Sequence, residues 1–160
     1  MDAIFRAVEH SWLSQWLRES SVMLPALLVV HTLGMGFAAG PSVVIDLRLL
    51  GFGRQIPLAP LARIVPLVWI GVILNAASGV FLLAAYPTKA LTNPVFFLKL
   101  ALIAGAVTLI EPLRRQLADP DRSAKRLAAL SIILWMGAIT AGRLLAYTHT
   151  RLLVDLKAHF

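Results

Sequence analysis

The chain has 160 residues, of which 59% are hydrophobic and only 14% are charged. A soluble domain of this length cannot bury so much apolar surface, so the composition excludes an ordinary soluble protein and favours one compact bundle in a bilayer. The net charge of +7 does not indicate nucleic acid binding, because the Lys and Arg residues lie between apolar runs, as they do in membrane proteins. The absence of cysteine excludes disulfides and thiolate metal sites.

The N-terminal segment predicts an amphipathic helix over about residues 3–19. Its apolar residues recur at helical spacing and include two tryptophans, which is typical of a helix that lies in the membrane interface. They are Ile4, Phe5, Val8, Trp12, Leu13, Trp16 and Leu17. We interpret this helix as a lead-in to the first membrane span.

Four apolar runs follow, each close to the roughly 20 residues that a spanning helix needs. They predict spans at about 22–44, 64–86, 94–113 and 126–148. Gly51 and Gly53 indicate a turn after the first span, and the polar residues 119–121 indicate another before the fourth. The predicted fold is therefore all-α: an integral membrane four-helix bundle, with residues 1–160 forming a single transmembrane domain.

The distribution of Lys and Arg predicts the orientation. The first and third loops carry eight of these residues, whereas the opposite side carries five. Cytoplasmic loops are enriched in Lys and Arg, so we expect the first and third loops in the cytoplasm. In the inner membrane of a bacterium, both termini of this multi-pass protein would then be periplasmic.

Three ionisable residues fall inside the predicted spans, where a charge costs a few kcal/mol on insertion scales and usually marks a site or a partner. His31 lies nine residues into the first span, Lys99 five residues into the third, and Arg143 four residues before Tyr147. At the helical rise these depths are roughly 13, 7 and 6 Å from the same surface. All three therefore belong to the outer half of the bundle.

A haem would use all three residue types. Neutral imidazole is a common axial iron ligand, a deprotonated lysine amine can be the second, and an arginine can pair with a propionate. We thus identify His31 and Lys99 as candidate metal ligands and Arg143 as a propionate partner. The alternatives are that His31 only bonds a neighbouring helix and that Lys99 and Arg143 extend to the interface.

Small and aromatic residues extend this candidate cofactor site. Gly34 follows His31 by about one turn, and Gly71, Asn75 and Gly79 repeat every four residues on the second span, so a flat macrocycle or another helix can approach closely. Trp135 is a candidate for stacking on the macrocycle, with packing against lipid or in the core as the alternative.

The sequence gives less support to other candidate ligands and metal sites. His149 is an alternative axial ligand, but it lies well above the depth of His31. A copper site is disfavoured, since only Met35 accompanies His31 at helical spacing and no methionine cluster is present. Asp46, at the end of the first span, is expected to pair with Arg48 or Arg63 in a structural role.

Several segments carry a resemblance over nearly the whole chain. They are 31–40 with 46–51, 61–63 with Pro66, 93–99 and 142–147. Together they resemble a family of uncharacterised four-span bacterial membrane proteins, which is distantly similar to HemJ-type haem proteins and CopD-like membrane domains. The resemblance to the HemJ type implies haem b ligated by His31 and Lys99. Relatives often have a histidine near the end of the third span, where this chain has Glu111 and Pro112, which argues against a second haem.

These observations leave two main classes of function. The first is a haem b protein that exchanges electrons with a quinone or a membrane redox protein. The second is a cofactor-free subunit whose buried polar residues hold helices together in a homo- or hetero-oligomer. A small transporter is a third class, which the lack of inverted repeats and broken helices disfavours. No catalytic residue is indicated.

Overall fold

The computed structural model describes residues 10–147, apart from the side chain of Leu13. This part of the chain is helical and contains no strand, which confirms the all-α prediction. We number the α-helices in chain order. They are α1 (Trp12–Glu19), α2 (Met23–Leu50), α3 (Val65–Ala85), α4 (Pro87–Leu91), α5 (Pro94–Gln116) and α6 (Ala124–Tyr147), with a 3-10 helix at Ala59–Ile64 before α3.

Four helices are long and apolar enough to cross a membrane: α2, the 3-10 helix continued by α3, α5 and α6. They match the four predicted spans and define a multi-pass α-helical membrane protein. Their outward surfaces are formed by large apolar side chains, such as Ile73, Val80 and Ile133, which are about two-thirds exposed and suited to contact with lipid.

The first span is longer than predicted. Asp46 and Arg48 do not end α2, which continues to Leu50. Gly51 ends it instead, because its backbone adopts a left-handed φ of 107° and Phe52 N donates to Leu47 O. This is the usual glycine stop of a helix, and Gly53 also has a positive φ, so the predicted glycine turn is confirmed.

The helices pack as two pairs, α2 with α3 and α5 with α6, and the contact of α2 with α6 joins the pairs. All four meet in one apolar core at the end that holds the first and third loops. Its buried members include Ile45 of α2, Val68 of α3, Leu113 of α5 and Ala128 of α6. The helices α3 and α5 make few direct contacts with each other.

The short helix α1 docks on α3 through one face. Leu17 and Ser14 are buried, and the Ser14 hydroxyl donates to the backbone oxygen of Ala85 at 3.3 Å. Trp12 and Trp16 stack on each other with a ring separation of 6.2 Å on the exposed face. The C-terminal half of the predicted amphipathic helix is therefore present, and its two tryptophans face outward. Residues 3–9 of that prediction lie outside the described residues.

The third loop is held by polar side chains at the predicted turn. The backbone and hydroxyl of Ser123 both donate to Asp121 Oδ1 at 2.6 Å, and Asp121 N donates to Gln116 Oε1 at 2.8 Å. The Ser123 hydroxyl in particular holds the pKa of Asp121 below its usual range. Ser123 immediately precedes α6, so this network fixes where the fourth span begins.

Candidate functional site

His31 of α2 lies between α3 and α5, with each ring nitrogen facing a polar side chain. Nδ1 is 2.9 Å from Ser78 Oγ of α3, and Nε2 is 3.1 Å from Lys99 Nζ of α5. The backbone oxygen of His31 accepts a further hydrogen bond from Asn75 Nδ2 at 2.8 Å. One residue of α2 therefore ties together two helices that hardly touch each other directly.

The hydrogen bonds assign the tautomer of His31. The Ser78 hydroxyl gives its single proton to a backbone oxygen of α3, Leu74 O at 2.6 Å or Asn75 O at 3.1 Å. Ser78 Oγ can then only accept from the imidazole, so Nδ1 carries the proton. Nε2 keeps its lone pair, which faces Lys99. An imidazole with Nδ1–H held by an acceptor and Nε2 free is the form that binds a metal through Nε2.

Lys99 reaches His31 across a glycine of α6. A Cβ placed on Gly142 would lie 3.6 Å from Lys99 Cε and 3.7 Å from Lys99 Nζ, so the lysine stem passes directly over this position. The long stem also explains how a lysine near the start of α5 meets a histidine placed deeper in α2. The prediction that the two residues lie in the same half of the bundle is confirmed.

A cavity of about 580 Å³ opens beside this pair, between α2 and α6. This is within the range of about 300–1,000 Å³ that is usual for small-molecule and cofactor sites. Six of its fourteen lining residues are glycine or alanine. Those on α2 are Gly36, Ala39 and Gly40, and those on α6 are Ala138, Gly142 and Ala146. A Cβ added at Gly36 or Gly40 would meet no atom within 4 Å, so the cavity is open along α2.

Arg143 lies at the rim of the same cavity and is exposed. The ion pairs in the described part of the chain involve Glu111 with Arg114 and Arg115, so Arg143 has no carboxylate partner there. A guanidinium in this position can bind a carboxylate that enters the cavity, and it can do so with two parallel hydrogen bonds.

The other predicted site residues occupy different positions. Gly34 packs against the backbone of α3, where a Cβ would lie 2.6 Å from Asn75 N, and Asn75 itself bonds α2. Trp135 is 1% exposed and is buried among Ala38, Ala39 and Ala106. None of Gly34, Asn75 and Trp135 is among the residues that line the 580 Å³ cavity. His149 lies outside the described residues.

The expectation that Asp46 pairs with Arg48 or Arg63 is wrong. Arg48 instead donates to backbone oxygens of the first loop, at 2.6 Å to Ile56 O and 3.2 Å to Arg54 O. Asp46 is fully buried and has no hydrogen-bond partner among residues 10–147. The reason is geometric: Arg48 faces the loop that the glycine stop creates, whereas Asp46, two residues earlier, faces the core.

Ser78 is the residue that the sequence reasoning missed. It follows Asn75 by three residues and precedes Gly79, so it lies on the same small-residue face of α3. Gly79 also contacts the imidazole, because a Cβ there would lie 3.4 Å from His31 Cε1. Because Ser78 is a polar residue on this face, the sequence contained a signal that could have identified it as a partner of His31.

The nitrogen atoms of His31 and Lys99 are suitable ligands for a haem iron, but the distance between them would have to increase. Metals such as zinc bind imidazole nitrogen at about 2.0–2.1 Å, so two ligands on opposite sides of a metal lie roughly 4 Å apart. His31 Nε2 and Lys99 Nζ, now 3.1 Å apart, would have to separate by about 1 Å, which the flexible lysine stem permits. Within residues 10–147, no three His, Cys, Asp or Glu side chains gather, so a site for a bare metal ion of that kind is absent there.

The fold and the site define the class of the protein as a multi-pass, all-α membrane protein with a polar site between its helices. Comparison with known proteins adds no family to this description, since no family model, curated protein or solved structure matches the chain.

Proposed function

We propose that this protein binds haem b within the bilayer and exchanges electrons with a quinone or a membrane redox partner. The observation that carries the proposal is the pairing of His31 and Lys99 beside the 580 Å³ cavity. An Nε2 lone pair and an amine nitrogen face each other at 3.1 Å, next to a space bordered by small residues. Haem, when bound, supplies one-electron redox chemistry.

The residues have distinct roles in this proposal. His31 and Lys99 would hold the haem iron, and Ser78 would keep the imidazole in the tautomer that binds a metal. Lys99 ligates only as a neutral amine, so its proton must leave when haem binds. Arg143 at the rim binds a propionate, and the glycines and alanines of α2 and α6 admit the flat ring.

The resemblance to HemJ-type haem proteins and the positive-inside bias complete the proposal. We infer a protein of the bacterial inner membrane with both termini in the periplasm, so that the His31 end of the bundle faces outward. A redox partner would then meet the haem from the periplasmic half of the membrane.

A second candidate is a cofactor-free subunit of a membrane complex. The observation that favours it is the same contact: the hydrogen bond between His31 and Lys99 gives each polar group a partner and joins α2 to α5. In this case the 580 Å³ cavity would receive lipid or a partner helix.

Absorption spectroscopy separates the two candidates. We would purify the full chain in detergent from haem-supplemented cells and record oxidised and dithionite-reduced spectra of the wild type, His31→Ala and Lys99→Ala. The proposal predicts a b-type spectrum in the wild type, loss of most of the haem in His31→Ala, and a changed spectrum in Lys99→Ala, since each substitution removes one axial ligand.

Matched controls use residues of the same type outside the cavity. His10→Ala and Lys89→Ala should retain the wild-type spectrum, because His10 precedes α1 and Lys89 lies on α4. Gly36→Leu should fill the open side of the cavity and reduce haem content while the protein remains folded. A colourless, well-folded wild type contradicts haem binding and favours the cofactor-free subunit.

A further inference from the structure

Asp46 is a buried carboxyl group that the proposed haem site does not use. It is 0% exposed, and neither carboxyl oxygen has a hydrogen-bond partner in the described part of the chain. Ser131 of α6 is the polar side chain that approaches it, but the two groups are not placed for a hydrogen bond, and Ser131 Oγ is also unpartnered. A buried carboxyl group without a partner in a membrane bundle usually binds a ligand or a proton.

A second, small cavity adjoins Asp46. Its volume is about 10 Å³, which is about what one water molecule requires. Ser42, Asp46 and Ser131 are the polar residues of the bundle interior that line it, and the other lining residues are apolar except for Arg114. The side chain of Arg114 is 51% exposed, so one residue that lines the cavity also contacts the outside of the protein.

Within the part of the chain that the structure describes, no positive charge compensates Asp46. Arg114 donates two hydrogen bonds to Glu111, of 2.8 and 2.6 Å. Arg48 on α2 donates to a backbone carbonyl of the first loop. The part of α3 that lines the cavity is Val65 and Val68, and α6 contributes only Ser131. An ionised carboxylate here would be buried without a counter-ion, at a cost of several kcal/mol, whereas a protonated carboxyl only needs an acceptor for its O–H.

We propose that Asp46 is a proton-binding site of the bundle. The carboxyl is neutral in the folded protein, one water molecule occupies the adjoining cavity, and the proton exchanges with the aqueous phase on the Arg114 side. The water molecule supplies hydrogen bonds to the Asp46 carboxyl and to Ser131 Oγ that these two groups do not make with each other.

This site is independent of the proposed haem site. Asp46 and His31 lie fifteen residues apart on the continuous helix α2, which corresponds to roughly 22 Å along its axis. Asp46 is near the end of the bundle with the first and third loops, and His31 is near the other end. Failure of one proposal therefore leaves the other standing.

Infrared spectroscopy of the full-length protein tests the site, since the C=O stretch of a protonated carboxyl is separate from that of a carboxylate. We expect a protonated-carboxyl band in the wild type at pH 7 that is missing from Asp46→Asn. The band should move to lower frequency in D2O because the proton exchanges. Asn has the shape of the neutral acid, so this variant is expected to fold.

Asp119→Asn is the matched control, because Asp119 is exposed in the third loop and its replacement should leave the band unchanged. Ser131→Ala should shift the band, since it removes the neighbouring hydroxyl. The proposal is overturned if the wild type has no band that depends on Asp46, or if the band does not respond to D2O. A band that appears only after Na⁺ is replaced by a large organic cation would assign the site to Na⁺ and also overturn it.

Discussion

At the scale of single residues, the chemistry of the candidate site depends on which nitrogen of His31 carries a proton. Ser78 decides this, because its hydroxyl proton is engaged with the backbone of α3 and its oxygen can only accept. The imidazole is thereby oriented with Nε2 towards Lys99. A ligating histidine whose other nitrogen is held in this way is a recurrent arrangement in metal sites.

Ser78→Ala is therefore expected to weaken haem binding without removing a ligand. Loss of a partner of this kind typically costs about 10–100-fold in affinity, and the spectrum of the residual complex should also change because the imidazole is less constrained. The measurement is titration of the apoprotein with haem, followed by absorption at each addition.

Two companion variants identify the role of Ser78. Ser78→Thr keeps a hydroxyl at this position and should restore most of the affinity, whereas Thr108→Ala, on the exposed side of α5, should have no effect. Equal affinity in the wild type and Ser78→Ala would show that the serine does not position the histidine.

At the scale of helices, the small residues of the first two spans serve two different purposes. On the side of α2 that faces α3, Gly34 meets the backbone of Gly71 and Asn75 at close range. On the side that faces the cavity, a Cβ added at Gly36 or Gly40 would meet no atom within 4 Å. The first pattern brings two backbones together, as small residues commonly do between membrane helices, and the second leaves a space.

This difference predicts opposite effects of the same substitution. A Cβ on Gly71 would overlap with Ala38 N and lie 2.5 Å from Phe37 C, which are backbone atoms that cannot rotate away. Gly71→Ala should destabilise the bundle by about 1–3 kcal/mol, the usual range for overpacking. Gly36→Ala should not lower stability, since the position is open and alanine is the better helix former.

Thermal unfolding of the haem-free protein in one detergent, followed by circular dichroism, compares the two variants directly. We expect a lower midpoint for Gly71→Ala only. Equal midpoints for Gly71→Ala and the wild type would mean that α2 and α3 do not approach as closely as described.

At the scale of the whole molecule, the bundle has two unlike ends. One end has a continuous apolar core to which all four spanning helices contribute, and it holds the buried Asp46. At the other end, α3 and α5 are joined mainly through His31, and the 580 Å³ cavity lies between α2 and α6. A polar site in the less densely packed end is accessible to a ligand, while the packed end provides stability.

The orientation of these ends can be determined by cysteine labelling, because the chain has no native cysteine. Single cysteines at Ser21, Gln55 and Asp119 would be treated with a membrane-impermeant maleimide in intact and in permeabilised bacteria. The positive-inside bias predicts labelling of Ser21→Cys in intact cells, and of Gln55→Cys and Asp119→Cys only after permeabilisation. The opposite pattern would invert the orientation and contradict the periplasmic placement of the proposed haem site.

The sequence by itself determined the number of spans and the half of the bundle in which His31 and Lys99 lie, because apolar length and charge placement follow directly from the cost of polar groups in lipid. Only the tertiary structure decided which helices pair. It showed that Gly34 and Asn75 join α2 to α3 and that Trp135 lies in the core. It also revealed Ser78 as a partner of His31 and showed that Asp46 faces inward with no hydrogen-bond partner among residues 10–147. The direction of a side chain around an almost uniformly apolar helix depends on packing against neighbours, and a hydrophobic pattern with no polar face cannot encode that direction.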